Sequence, residues 1–199
     1  MVALEHREAR ESDIDSICDT FFSAFAGDYV MGKCFPDIPS VRAFWVDGLR
    51  KDIADPKHHI RCIVDKDLPG SPVIAYANWQ ACDEDTIQEG PLCPDGGDEK
   101  VAEIFFPRLR KRKGEIMGGR KYWYLACLCC QPTHQGQGAG RQLLKYGLDL
   151  ADSERKEIYL EASPPGVPVY TKYGWREQDR VIILDGAFTE ILMKRDAKK

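Results

Sequence analysis

The sequence predicts an α/β (α+β) fold, a central sheet of mixed direction flanked by helices. Three observations point to it. Apolar residues recur at helical spacing in the first quarter of the chain, apolar strand-like runs punctuate the middle, and a strand–loop–helix–strand unit follows. The chain has 199 residues, 43% hydrophobic and 30% charged, which suits one large domain over 1–199 and is too apolar for disorder.

Residues 4–9 read as a short strand. Ser12 opens a helix, with Asp15 in a capping-box-like position and Ile14, Ile17, Phe21 and Phe25 as its apolar stripe, ending near Gly27. A second helix runs from Pro39 to Asp55, with Val41, Phe44, Trp45, Leu49 and Ile53 on one side. His59 to Val64 and Val73 to Cys82 form an antiparallel hairpin about Pro69-Gly70. The Gly- and Pro-rich acidic stretch 83–100 reads as an exposed loop within the domain. Val101 to Met117 is a helix that Pro107 should kink or split and that Gly118-Gly119 stops. Tyr122 to Cys130 is the most apolar segment and the expected central strand. A helix from Arg141 to Ser153, with Leu144, Leu148 and Ala151 on its apolar side, leads to a strand from Glu157 to Ala162. Pro164 to Tyr173 is a short helix or turn ended by Gly174, and strands at about 175–184 and 188–193 close the order.

Composition excludes several functions. The balance of 28 basic and 32 acidic side chains argues against nucleic acid as a partner. No apolar run approaches the roughly 20 residues of a membrane helix, and the N-terminal residues lack the apolar core of a secretory signal, so a cytoplasmic protein with no membrane partner is expected. Eight cysteines, three of them crowded at 127, 129 and 130, read as core thiols in a reducing compartment. The spacing from Cys127 through Cys129 and Cys130 to His134 is too tight for a usual zinc site, so no metal is expected and His134 is read as solvated. The basic run Arg108 and Arg110 to Lys113 is read as an exposed helix face balancing the acidic loop.

The chemistry points to the segment after the central strand. Gly136, Gly138 and Gly140 stand just ahead of a helix, where a permissive backbone and unpaired N–H groups make an anion cradle suited to phosphate. A P-loop is excluded, because Gly140 is followed by Arg141-Gln142 rather than Lys-Ser/Thr. A dinucleotide fingerprint needs a third glycine where Arg141 stands, although Glu161 lies near the offset of a ribose-binding acid. Gln135-Gly136-Gln137-Gly138-Ala139-Gly140 matches Q/R-x-x-G-x-G/A, and Tyr170-Thr171-Lys172-Tyr173-Gly174-Trp175 is similar to Y-x-x-x-G-F. On these two motifs the chain resembles the GNAT superfamily of acyl-CoA-dependent N-acetyltransferases, and within it a fungal-type branch.

The resemblance implies a mostly antiparallel mixed sheet splayed at the cofactor site. It also implies acetyl-CoA as acyl donor and transfer of the acetyl group to an amine by direct attack on the thioester. Backbone N–H groups of the Gln135–Arg141 segment would bind the pyrophosphate, and the backbone of Leu128, Cys129 and Cys130 the pantetheine arm and thioester carbonyl. Tyr170 matches the general acid that protonates the departing thiolate. Ser163, where many members carry Asn, and Tyr173 join the cofactor contacts. Glu161 is either the general base or a local ion-pair or capping residue. Phe25, Tyr29 and Trp79 are candidate lining of the acceptor pocket, or core packing. A small-molecule amine is the expected acceptor. A peptide or protein amine, and a non-catalytic acyl-CoA-binding module, are the alternatives. A closed aromatic pocket would favour the small amine and an open acidic groove the peptide. An exposed sheet edge leaves a homodimer open.

Overall fold

The computed structural model describes residues 3–83 and 93–198. Seven strands form one sheet: β1 (Leu4–Glu8), β2 (His58–Asp65), β3 (Val73–Cys82), β4 (Tyr122–Cys130), β5 (Glu157–Ala162), β6 (Arg176–Ile183) and β7 (Phe188–Arg195). Their order is β1-β2-β3-β4-β5-β7-β6. Every pairing is antiparallel except β4 with β5. That pair is parallel because a whole helix, α5 (Ala139–Ser153), carries the chain back between them. The sheet is therefore mixed and mostly antiparallel.

The helices divide between the two faces by side-chain alternation along the strands. On one face Trp79, Trp123 and Leu125 pack with Leu143, Leu144, Leu148 and Ala151 of α5. On the other, Tyr76 and Cys129 meet Ile17 and Phe21 of α1 (Ile14–Phe25) and Val41 and Leu49 of α3 (Pro39–Ala54). Further along that face, Tyr122, Tyr159 and Leu192 meet Val30 and Cys34 of α2 (Tyr29–Cys34) and Val101, Ala102 and Phe105 of α4 (Glu99–Met117).

Local details differ from the expectations. The start of α1 is not a Ser12–Asp15 box; Asp13 accepts from the Arg10 backbone N–H at 2.7 Å and takes two hydrogen bonds from the Arg7 guanidinium, so a short 3-10 turn precedes the helix. The sequence reading has no α2, because YVMGKC is too short for a period; Asp28 caps it by accepting from Met31 N–H at 2.8 Å. Pro107 neither breaks nor divides α4. It lies on the exposed side, as does Glu103 four residues before it, so the carbonyl it leaves unpaired faces water while Phe105 and Met117 anchor both halves. The helix starts at Glu99, two residues earlier than expected, with Asp98 as its cap. Half of the acidic loop, residues 84–92, lies outside the described residues.

All eight cysteines are free thiols. Among the described residues no helix is long and apolar enough to cross a membrane, and no three His, Cys, Asp or Glu side chains gather as metal ligands would.

Candidate active site

The site begins where two strands part. β4 and β5 pair only from Tyr122 with Glu157 to Tyr124 with Tyr159, although β4 runs on to Cys130 and β5 to Ala162. Beyond that point the β5-facing backbone groups of β4 have no strand ladder on that side. The opening is reinforced by a bulge: Asn78 pairs with Cys127 and Trp79 with Leu125, so Ala126 is the extra residue on β4. Ala126 is exposed in the middle of a central strand, so among the described residues no side chain covers the sheet there.

A groove of about 490 Å³ lies along this gap. Leu128, Cys129 and Cys130 form one wall, Gln135, Gly136, Gly138, Ala139, Gly140 and Arg141 close one end, and Tyr170 and Tyr173 lie opposite. Gly136 and Gly138 have φ of +77° and +90°, the left-handed region that disfavours a side chain. That turn leads directly into α5, whose first N–H groups, at Ala139, Gly140 and Arg141, have no turn of helix before them to bond. Together these make an anion-binding end on an otherwise apolar groove. Pro165 and Val169 add apolar wall that the motifs did not flag. The arrangement fits a ligand with a phosphate at one end and an extended arm that pairs with a strand edge.

Tyr170 lies at the junction. It lines this groove and a second cavity of about 230 Å³ on the α1, α2 and α4 side of the sheet. Its ring stands edge-on to buried Trp175 with centroids 5.8 Å apart, which sets its direction. Burial raises the phenol above its ordinary pKa, and Cys127 and Glu190 add to this, so the hydroxyl keeps its proton.

The second cavity is walled by aromatic rings, among them Phe21, Phe25, Trp45, Phe105 and Phe188, over a floor of Leu125 to Leu128. Three carboxylates open onto it: Asp28, Glu161 and Glu190. Tyr124 donates to Glu161 Oε2 at 2.7 Å. Glu190, on β7, is pushed up to about 8, by burial first and then by the negative charges of Glu161 and Asp28. Sequence reasoning missed Glu190, because a lone Glu in a half-buried strand carries no motif. Its significance comes from register, which sets β7 beside β5 with Glu161 opposite Leu192.

Of the residues expected at the cofactor, the groove collects all but two. Ser163 lies on the wall of the aromatic cavity, and Gln137 turns its amide to the Thr133 carbonyl at 3.4 Å. Of the residues expected at the acceptor, Phe25 lines the aromatic cavity. Trp79 does not: it points to the opposite face, fully buried on Gly147 of α5. Tyr29 is 50% exposed at the start of α2, and its neighbours Val30 and Met31 face the cavity instead. His134 is not solvated; its Nε2 sits 3.4 Å from the buried Asp65 carboxylate. Within the basic run, Arg112 pairs with Asp179 of β6 and with Glu115, and Lys113 lies over the Tyr124 ring at 4.1 Å.

Comparisons with known proteins agree with this geometry. The acetyltransferase (GNAT) domain family matches residues 110–191, the stretch from the later part of α4 into β7. An uncharacterized N-acetyltransferase of Schizosaccharomyces pombe is 23% identical over 194 residues, covering 87% of this chain and 82% of its own. Among solved structures, a Corynebacterium glutamicum protein described as histone acetyltransferase HPA2 and related acetyltransferase aligns over 100% of this chain and 98% of its own, at 21% identity and TM-score 0.70. Arylalkylamine N-acetyltransferase 2 of Aedes aegypti aligns over 98% and 100%, at 12% identity and TM-score 0.72.

Proposed function

We propose that the chain, whose residues 110–191 match the acetyltransferase (GNAT) domain family, moves an acetyl group from acetyl-CoA to a small primary amine with an apolar body. The observation that carries the acceptor class is the second cavity. It is walled largely by aromatic rings, with carboxylates at hand for a cation, and it meets the donor groove at Tyr170. Its volume, about 230 Å³, holds a one-ring or short-chain amine, since a cavity of about 150 Å³ accepts benzene.

The residues divide the work. The Gln135–Arg141 turn holds phosphate, and the unladdered edge at Leu128 to Cys130 pairs with the arm and offers an N–H to the developing oxyanion. The amine attacks the thioester carbon as a neutral base. Its proton goes to the Glu161–Glu190 pair, the C–S bond breaks, and Tyr170 supplies a proton to the departing sulfur. Glu190 suits the accepting role, because its pKa of about 8 approaches that of an alkylammonium more closely than an ordinary carboxylate does. The domain spans the chain in this account, the sheet being shared by both cavities.

A screen of primary amines with acetyl-CoA, read by product mass, tests the acceptor class. Small apolar amines are expected to be acetylated; efficient modification of peptides with no turnover of small amines would overturn the assignment. Glu190→Gln tests the proton acceptor. In the wild type, kcat/KM is expected to fall as pH drops below about 8, because the carboxyl must be deprotonated to accept. The variant should lose that limb and roughly 10- to 100-fold in rate. Stability should move the opposite way. A carboxyl raised from 4.5 to about 8 stabilises the fold below 4.5 and loses that contribution as pH rises through 8. The variant should therefore gain on the wild type across that window, and denaturant titrations at pH 5 and 9 will show it.

A further inference from the structure

A third cavity, of about 360 Å³, opens on the same face of the sheet between α3 and β3. It shares Trp45, Ala126 and Cys127 with the aromatic cavity, so the two have a common wall and floor where the bulge leaves the sheet bare. Its polar side chains are organised. Asn78, only 7% exposed, donates from Nδ2 to Asp52 Oδ2 at 2.9 Å. The Asn78 amide oxygen lies 3.0 Å from His58 Nδ1, and that nitrogen is 3.8 Å from Asp52 Oδ2. Phe44, Trp45 and Tyr76 supply aromatic walls, and none of the residues lining the cavity is Lys or Arg. A fixed carboxylate among aromatic rings selects a cation: the charge is attracted to the carboxylate and to the ring faces, and no Lys or Arg lines the cavity to hold an anion in its place. Burial raises the Asp52 carboxyl, and an arriving ammonium relieves that cost.

Resting on the proposed amine acetylation, we infer that this cavity is a specificity subsite for a second, distal ammonium, so that the preferred acceptors are diamines with an apolar connector. One end would present its amine at Glu161 and Glu190, the connector would cross the bare floor at Ala126 beside Trp45, and the far end would pair with Asp52.

The test uses the full chain with α,ω-diaminoalkanes of three to eight carbons and the n-alkylamines of matching length. Diamines of the bridging length should exceed their monoamines by at least about tenfold in kcat/KM. Asp52→Asn should remove that advantage, chiefly through KM, and leave the monoamines within about twofold. Equal loss for both series, or no diamine preference at any length, would overturn the subsite. Calorimetric titration of both amine series into the protein saturated with CoA reads the subsite without turnover and without any variant. If no amine is acetylated but diamines still bind tighter than monoamines, the transfer reading fails and the subsite stands. If monoamines are acetylated and diamines bind no tighter, the subsite fails alone.

Discussion

Tyr170→Phe is expected to lower kcat by about two to three orders of magnitude while acetyl-CoA affinity stays within about twofold. The substitution removes one hydroxyl and keeps the ring. The edge-on packing against Trp175 and the close approach to Gly166, where an added Cβ would sit 3.2 Å from the Tyr170 ring, are both preserved. What disappears is a phenol shared by the donor groove and the aromatic cavity. Its raised pKa means that it stays protonated through neutral and moderately alkaline pH, so it can donate but does not compete as a base. Single-turnover and steady-state rates of the two proteins decide the matter. A variant within about threefold of the wild type in kcat, with both saturated, would mean that the thiolate departs without this proton and that Tyr170 is a wall residue.

The second large effect is on stability. Gly147 lies inside α5, and a Cβ placed there would come within 2.1–2.4 Å of the Trp79 indole. Helix propensity alone predicts that Gly147→Ala stabilises by up to about 1 kcal/mol. Steric overlap opposes it and is larger. Trp79 is fully buried beneath α5, so its ring cannot swing into solvent, and overpacking of this kind costs ~1–3 kcal/mol or more. We expect a net loss of about 2 kcal/mol, and Gly147→Val should be worse because it adds branched bulk and lower helix propensity. Urea titration at fixed pH measures it; an alanine variant more stable than the wild type would mean that the helix and sheet have room to part. Activity should suffer with stability, since α5 also carries the anion-binding end of the groove.

Much of this architecture is legible in the sequence. The strand–turn–helix around the glycines could be read because φ-positive glycines, helix N-terminal N–H groups and an apolar strand leave local traces. The same holds for Tyr170, whose offset from Gly174 lies within one short segment. The acceptor side was poorly legible, because its residues come from α1, α2, α3, α4, β4, β5 and β7 and are joined by register. Trp79 and Phe25 look alike as strings, yet alternation along β3 sends the indole to the α5 face, while Phe25 ends a helix that crosses the other face. Glu190 and Asp52 have no motif at all; each becomes notable only because the sheet sets it beside a cavity. Pro107 misled for a related reason, since its cost depends on which way the helix faces.

Calorimetric titration of the purified protein with acetyl-CoA, with CoA and NADH run beside it, tests the central claim most directly. The account predicts that acetyl-CoA and CoA bind at micromolar concentration or tighter and that NADH gives no heat. Silence from both CoA species, or binding of NADH in their place, would contradict it and leave Gln135 to Gly140 an ordinary turn into a helix.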